Sequence, residues 1–361
     1  MAMAGAGVRG DSVDDMVAAQ MQKRHIAGLS LAVIQDGAIV RAQGYGLTDL
    51  EGSAPVTADT LFQAGSVSKP VAAAGALSLV QSGKLSLDSD VNRSLSSWHV
   101  PENEFTKENK VTLQRLLSHT AGMTVHGFAG YAAGDPVPTL IEVLNGKHPA
   151  NSKPIRVDTV PGTRWRYSGG GFTVVQQLII DVTGQSFQEF MHDTVLKPLG
   201  MRASTYEQPL PRALENRAAT GHPSPGESVP GRGHIYPEMA AAGLWTTPSD
   251  LARFVIALQQ AYAGGAQPVI SRDMVREMLT VQKDNDGLGI FLDGAGPTRR
   301  FSHNGRDEGF DTLLIGYVER GQGAVIMINA NDDRNVEAWV AKAIADAYGW
   351  PDYPRAKAPA K

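Results

Sequence analysis

The chain has no cysteine among its 361 residues. Disulfides, thiolate nucleophiles and thiolate metal sites are excluded with it. No apolar run reaches the roughly 20 residues that a membrane-spanning helix needs. Charge of one sign is also scarce, with a formal net charge of −4 and a pI of about 6.1. That leaves no basic footprint for nucleic acid and no polybasic patch for anionic lipid. G-x-S-x-G, H-E-x-x-H and Walker A sequences do not occur, so the corresponding nucleophile elbow, zinc helix and phosphate loop are excluded. The nine histidines show no ligand-like pairing, and neither a metal nor another cofactor is expected. A G-x-G-x-x-G stands at Gly5, Gly7 and Gly10. No strand precedes it, so it reads as a flexible tail and not as a dinucleotide loop. The same N-terminus lacks a basic n-region and a long apolar h-region, so it does not read as a signal peptide. The expected location is cytoplasmic as the sequence stands, or periplasmic or secreted if a leader was removed.

What is present suits a globular protein with a sizeable core: 42% of residues are apolar and 19% charged. The organising stretch is Gly65-Ser66-Val67-Ser68-Lys69-Pro70. Ser66 is the only serine with a lysine three residues on. It stands where an apolar, Ala-rich helix over 71–81 is expected to begin. Residues i and i+3 share a helix face, so Ser66 and Lys69 point into one site. A serine hydroxyl needs a neighbouring base to become a nucleophile, and a desolvated lysine loses its proton readily enough to serve.

In chain order, the spacing predicts a helix over 12–24, capped by Asp11 or Ser12. Strands follow over 28–34 and 38–44, joined by an Asp36-Gly37 turn. Short helices are expected over 111–117 and 141–144, and longer ones over 172–182, 187–195, 249–262 and 271–279. The last two each have a serine at the expected N-cap. Residues 207–239 are rich in proline and glycine and read as irregular. Alternating strands are expected over 287–292, 299–302, 310–318 and 323–329, then a helix over 335–348. A Pro/Ala/Lys tail follows Pro354. Strands at both ends and helices between them imply an α/β chain of α+β type. One antiparallel sheet, flanked by terminal helices, is built from 1–80 and 286–361, and a mostly helical region over 81–285 is inserted. The site belongs at the junction of the two.

Two further motifs carry chemistry. Tyr167-Ser168-Gly169 precedes a glycine run and a helix. A nearby ammonium would favour the phenolate of Tyr167, which could then relay a proton to or from Ser66. His303-Asn304-Gly305-Arg306 lies on or after a C-terminal strand. If that strand lines the site, the backbone N–H groups of Arg306 and Ser66 form an oxyanion hole, and Gly305 allows close approach to the strand edge. His119, beside Leu116 and Leu117, is assigned a packing role.

Taken together, these pieces resemble the penicillin-binding-protein-like serine hydrolases. That group includes class C β-lactamases, D-alanyl-D-alanine carboxypeptidases and β-lactamase-like carboxylesterases. The resemblance rests on Ser66 to Lys69, Leu116-Leu117-Ser118-His119-Thr120-Ala121-Gly122-Met123, Pro161 through Ser168, Pro198-Leu199-Gly200-Met201, Gly243 through Ala252, and His303-Asn304-Gly305. It implies an α/β domain and a helical domain with the site between them. It implies Ser66 as nucleophile, Lys69 and Tyr167 as the proton-handling pair, and a third motif from His303 to Gly305 on an edge strand. Two positions depart from the β-lactamase pattern. Gly169 stands where an asparagine amide usually binds the substrate's acylamino group. His303 stands where a lysine helps hold the substrate carboxylate, and Arg306 nearby is the candidate to compensate.

The expected chemistry is acyl transfer through Ser66 on a small-molecule ester or amide, with no cofactor. Lys69 and Tyr167 titrate as a unit, which leaves the resting base open between them. A carboxylesterase on small or short-chain esters is the first expectation. A D-Ala-directed peptidase or β-lactamase is the second, and a penicillin-binding module with slow deacylation the third. Oligomeric state is not legible.

Overall fold

The computed structural model describes residues 6–51 and 54–354, and of residues 6–11 the backbone alone. The strands in chain order are β1 Gly28–Gln35, β2 Ala38–Gly46, β3 Phe62–Gln63, β4 Trp245–Thr246, β5 Phe291–Asp293, β6 Arg300–Asp307, β7 Phe310–Tyr317 and β8 Gly323–Ile328. Six of them form one antiparallel sheet in the order β2-β1-β8-β7-β6-β5, while β3 pairs with β4. The first hairpin closes through Asp36 and Gly37, both at positive φ (52° and 72°), the geometry that matches strand twist in a two-residue turn. Pairing of Leu29 with Ile328 then joins the N-terminal hairpin to the C-terminal meander, as the strand positions imply.

Alternate residues of the central strands serve two cores. Leu29, Leu31, Val33, Ile326 and Ile328 pack with Val13 and Val17 of α1 (Ala6–Arg24) and with Val340 and Ile344 of the C-terminal helix Val336–Tyr348. Ala32, Ile34, Val325 and Met327 face the opposite core. Because both faces are covered, β8 reads as an unbroken apolar run rather than an alternating one. Each such aliphatic side chain contributes about 1.5–3 kcal/mol on burial.

The remaining helices are α2 Ser68–Gln81, α3 Leu113–Leu117, α4 Leu140–Asn145, α5 Gly169–Thr183, α6 Phe187–Met191, α7 Arg212–Glu215, α8 Met239–Ala242, α9 Pro248–Tyr262 and α10 Arg272–Met278. The terminal helix Val336–Tyr348 is α11. Eleven of the fourteen residues of α2 are buried. A helix apolar on every side belongs inside, and its alanines let α5 and α8 come close. Helix α9 lies within residues 81–285, yet it packs on β1, β2, β7 and β8.

Several boundaries differ from the sequence reading. Helix α1 begins at Ala6 and not after Asp11 or Ser12, so Gly7 and Gly10 lie in its first turns and not in a tail. Gly5 and the Pro/Ala/Lys tail lie outside the described residues. Helix α5 starts at Gly169, because Ser168 Oγ accepts the Gly171 amide at 3.0 Å and caps it there. Thr247, not Ser249, caps α9, with Pro248 following at the first helical position. The helix expected over 187–195 is α-helical to Met191 and continues as a π turn, His192–Leu196. Strand β5 is confined to Phe291–Asp293, and β6 runs on to Asp307, so His303 stands in mid-strand.

Candidate active site

Ser66 does not sit on the α-helix itself. It occupies a 3-10 turn, Gly65–Val67, that feeds directly into α2. Lys69 follows in the first turn of α2, and its Nζ donates to Ser66 Oγ at 2.9 Å and to the Ala241 carbonyl of α8 at 2.8 Å. The ammonium lies over the Tyr167 ring at 4.9 Å and the Phe172 ring at 5.8 Å. Burial pulls Lys69 down to about 7, against the opposing field of Asp307. Tyr167 hydrogen-bonds Ser66 from the other side. Burial pushes its phenol up, not toward the phenolate that a neighbouring ammonium alone would favour. Desolvation outweighs the attraction here.

Tyr167 is held by its neighbours. The Ser168 amide donates to His119 Nδ1 at 3.1 Å, and the Ser168 hydroxyl donates to the Thr124 carbonyl at 2.8 Å. The His119 ring packs on Tyr167 with centroids 4.3 Å apart. His119 is thus a packing residue, as its place in the sequence suggests, and it packs on the site itself.

Strand β6 closes the other side. A Cβ on Gly305 would lie 2.0 Å from the Ala64 carbonyl oxygen and 2.9 Å from the Ser66 nitrogen. A Cβ on Gly65, at φ +52°, would lie 2.5 Å from the Arg306 nitrogen. Only glycine on both sides lets the strand touch the serine turn, and this contact brings the Ser66 and Arg306 amides together. His303 is buried behind this edge. It donates from Nδ1 to the Asn304 carbonyl at 2.6 Å. Its ring stacks on Phe291 at 5.0 Å, and burial holds it neutral with a pKa of about 3. The Arg306 guanidinium is taken up by Asp311, through Nε and Nη2 at 2.7 Å each, and by Asp333 at 2.6 Å.

A cleft of about 470 Å³ opens over Ser66, Lys69, Tyr167 and Arg306. His126, Phe128, Trp165, Ala241, Phe291 and Asp307 also line it. Gly169, His303 and Gly305 lie behind its surface. A side chain on Gly169 would be crowded, because a Cβ there would meet the Phe128 ring and the His126 carbonyl at 3.1 Å each.

Sequence reasoning missed four features of this site. The Ala241 carbonyl is a backbone group with no sequence signature. Asp307 and Glu238 are buried carboxylates without a hydrogen-bonding side-chain partner among the described residues. Burial raises both, Glu238 to about 8. Phe128 lies in a glycine-rich loop whose path no periodicity reveals.

Comparison with known proteins identifies the family. A family model described as Beta-lactamase matches residues 13–347. Esterase EstB of Burkholderia gladioli is 29% identical over 295 residues, which are 79% of this chain and 72% of that protein. The unguisins hydrolase ungD' of Aspergillus campestris is 32% identical over 228 residues, 59% of this chain and 39% of that one. The chain therefore spans about two fifths of that relative's length. The structure of an octameric penicillin-binding protein homologue from Pyrococcus abyssi superposes with a TM-score of 0.78 at 22% identity. It covers 96% of this chain and 79% of its own, a likeness of fold. On the match over residues 13–347, the chain belongs to the Beta-lactamase family, a family of serine hydrolases.

Proposed function

We propose that the protein is a carboxylesterase acting on small, uncharged esters through an acyl-Ser66 intermediate. Ser66 Oγ attacks the ester carbonyl as its proton passes to Lys69, the base because burial favours its neutral amine. The amides of Ser66 and Arg306 receive the developing oxyanion. The proton returns through Tyr167 to the departing alkoxide. Water then attacks the acyl-serine, and the same groups move its proton. No step calls for a cofactor.

The observation that carries the ester reading is the Phe128 ring lying against Gly169. A ring crowds the position from which β-lactamases and peptidases of this family present an amide for the acylamino group. Two more features agree with it. His303 is neutral and buried, and the Arg306 guanidinium already serves Asp311 and Asp333, so neither supports the idea that Arg306 replaces a carboxylate-binding lysine. A site lacking a charge-assisted partner forgoes roughly 1.5–3 kcal/mol for that contact.

The test compares kcat/KM for a short-chain nitrophenyl ester, a cephalosporin and a D-alanyl-D-alanine peptide. The ester is expected to lead by about two powers of ten or more. Equal or better values for the cephalosporin or the peptide would replace the esterase reading with a β-lactamase or peptidase. One equivalent of product without turnover would replace it with a penicillin-binding module.

A further inference from the structure

Resting on the esterase reading, we propose that the ester carries an aromatic ring in its alcohol or acyl arm, seated against the rings that wall the cleft. Phe128, Trp165, Tyr167 and Phe291 are half-buried and line the same cleft as Ser66. Trp165 and Phe291 lie 6.4 Å apart at 60°, and Tyr167 and Phe291 lie 6.3 Å apart at 24°. These three make one continuous wall, and Phe128, seated on Gly169, adds a fourth ring. Two of these rings are anchored by their neighbours. Trp165 Nε1 donates to Asp286 at 2.9 Å, and Tyr167 rests on His119. Rings held this way offer faces and edges at the 4.5–7 Å spacing that a further ring prefers.

The other ligand that aromatic walls take is an organic cation. Here a cation would share the cleft with the Lys69 amine. The acidic residue in the lining is Asp307, whose carboxyl oxygens are buried and whose neutral form burial favours, so it offers a cation little. The chemistry on offer is apolar and flat, which selects an uncharged aryl group.

The experiment uses two matched pairs, each pair sharing its carbon skeleton. One is benzyl acetate against cyclohexylmethyl acetate, the other methyl phenylacetate against methyl cyclohexylacetate, with each kcat/KM divided by that ester's own rate of alkaline hydrolysis to cancel the small inductive difference that remains. In one pair or the other, the aryl ester is expected to lead roughly tenfold in kcat/KM. Phe291→Leu and Phe128→Leu should each cut that ratio severalfold. Ratios within about twofold of one in both pairs, a scale below that of a single aromatic contact, overturn the inference. So does a ratio that survives in both variants. A choline ester preferred over its uncharged 3,3-dimethylbutyl counterpart also overturns it, in favour of a cation. The same ranking is read without turnover by saturation-transfer NMR, using folded Ser66→Ala protein with N-benzylacetamide and N-(cyclohexylmethyl)acetamide. Aryl preference in binding with no ester hydrolysis supports the aryl wall and removes the esterase reading. Ester hydrolysis with no aryl preference in either assay does the reverse.

Discussion

Lys69 Nζ stands 2.9 Å from Ser66 Oγ and, among the described residues, its other hydrogen bond goes to the Ala241 carbonyl at 2.8 Å. A buried amine in this position is a base when neutral and inert when protonated. Burial sets that change at about 7. With Lys69 as the proposed base, kcat/KM for an uncharged ester should rise with pH to about 7 and level off above it. Below that point activity should fall about tenfold per pH unit. A profile still flat two units below that value would remove Lys69 as the base.

Asp307, in the wall of the cleft, should tune this titration. Burial raises its carboxyl while the Lys69 ammonium lowers it, and its charged form opposes the desolvation of Lys69; the Gly65 amide faces it. The other titratable groups that face Lys69 are His119, His303 and Tyr167, and burial favours the neutral form of each. Glu238 and Asp311 act in turn on Asp307. Asp307→Asn removes the negative charge that raises Lys69, so the acid limb should move to lower pH while KM changes little. An unmoved limb with a lowered Tm would reduce Asp307 to a packing role.

Lys69 and Tyr167 both hydrogen-bond the one hydroxyl, Ser66. If they form one proton path, removing either disables the same step. Lys69→Ala and Tyr167→Phe should each lower kcat/KM by several powers of ten, and the double variant should cost little more than the worse single one. Simple multiplication of the single effects would argue for separate roles.

The contact of β6 with the serine turn has no room to give. A Cβ on Gly305 would lie 2.0 Å from a backbone oxygen, so Gly305→Ala must push β6 and the Ser66 turn apart. A displacement of about 1 Å at a reacting centre costs on the order of a hundredfold in rate, and overpacking costs about 1–3 kcal/mol of stability. Both should appear, as a loss of kcat and a lowered Tm. A variant with wild-type kcat would mean that the two amides need no such closeness.

How much of this was legible in the chain follows from the range of each interaction. Ser66 and Lys69 are three residues apart on a helical turn, so their meeting is local and readable. The sheet is readable because Asp36-Gly37 has one strong turn geometry and because strand patterns fall only at the two ends. The start of α5 was misplaced because Gly169 to Gly171 are poor helix formers, and the cap supplied by Ser168 outweighs them. The phenolate expected of Tyr167 failed because an ammonium motif can be seen in a sequence but burial cannot. Ala241, Asp307 and Phe128 reach the site from remote positions through a backbone carbonyl, a buried strand residue and an irregular loop. None of these has a periodicity to betray it.

The most direct test is the intact mass of the protein, quenched seconds after mixing with a slow ester and followed by peptide mapping. Ser66 should carry the added acyl group in the wild-type protein. Ser66→Ala, folded, should carry none and lose turnover by several powers of ten. Acylation at another residue, or turnover by Ser66→Ala within about tenfold of wild type, far outside the scale for a lost nucleophile, would contradict the assignment of Ser66 as the nucleophile.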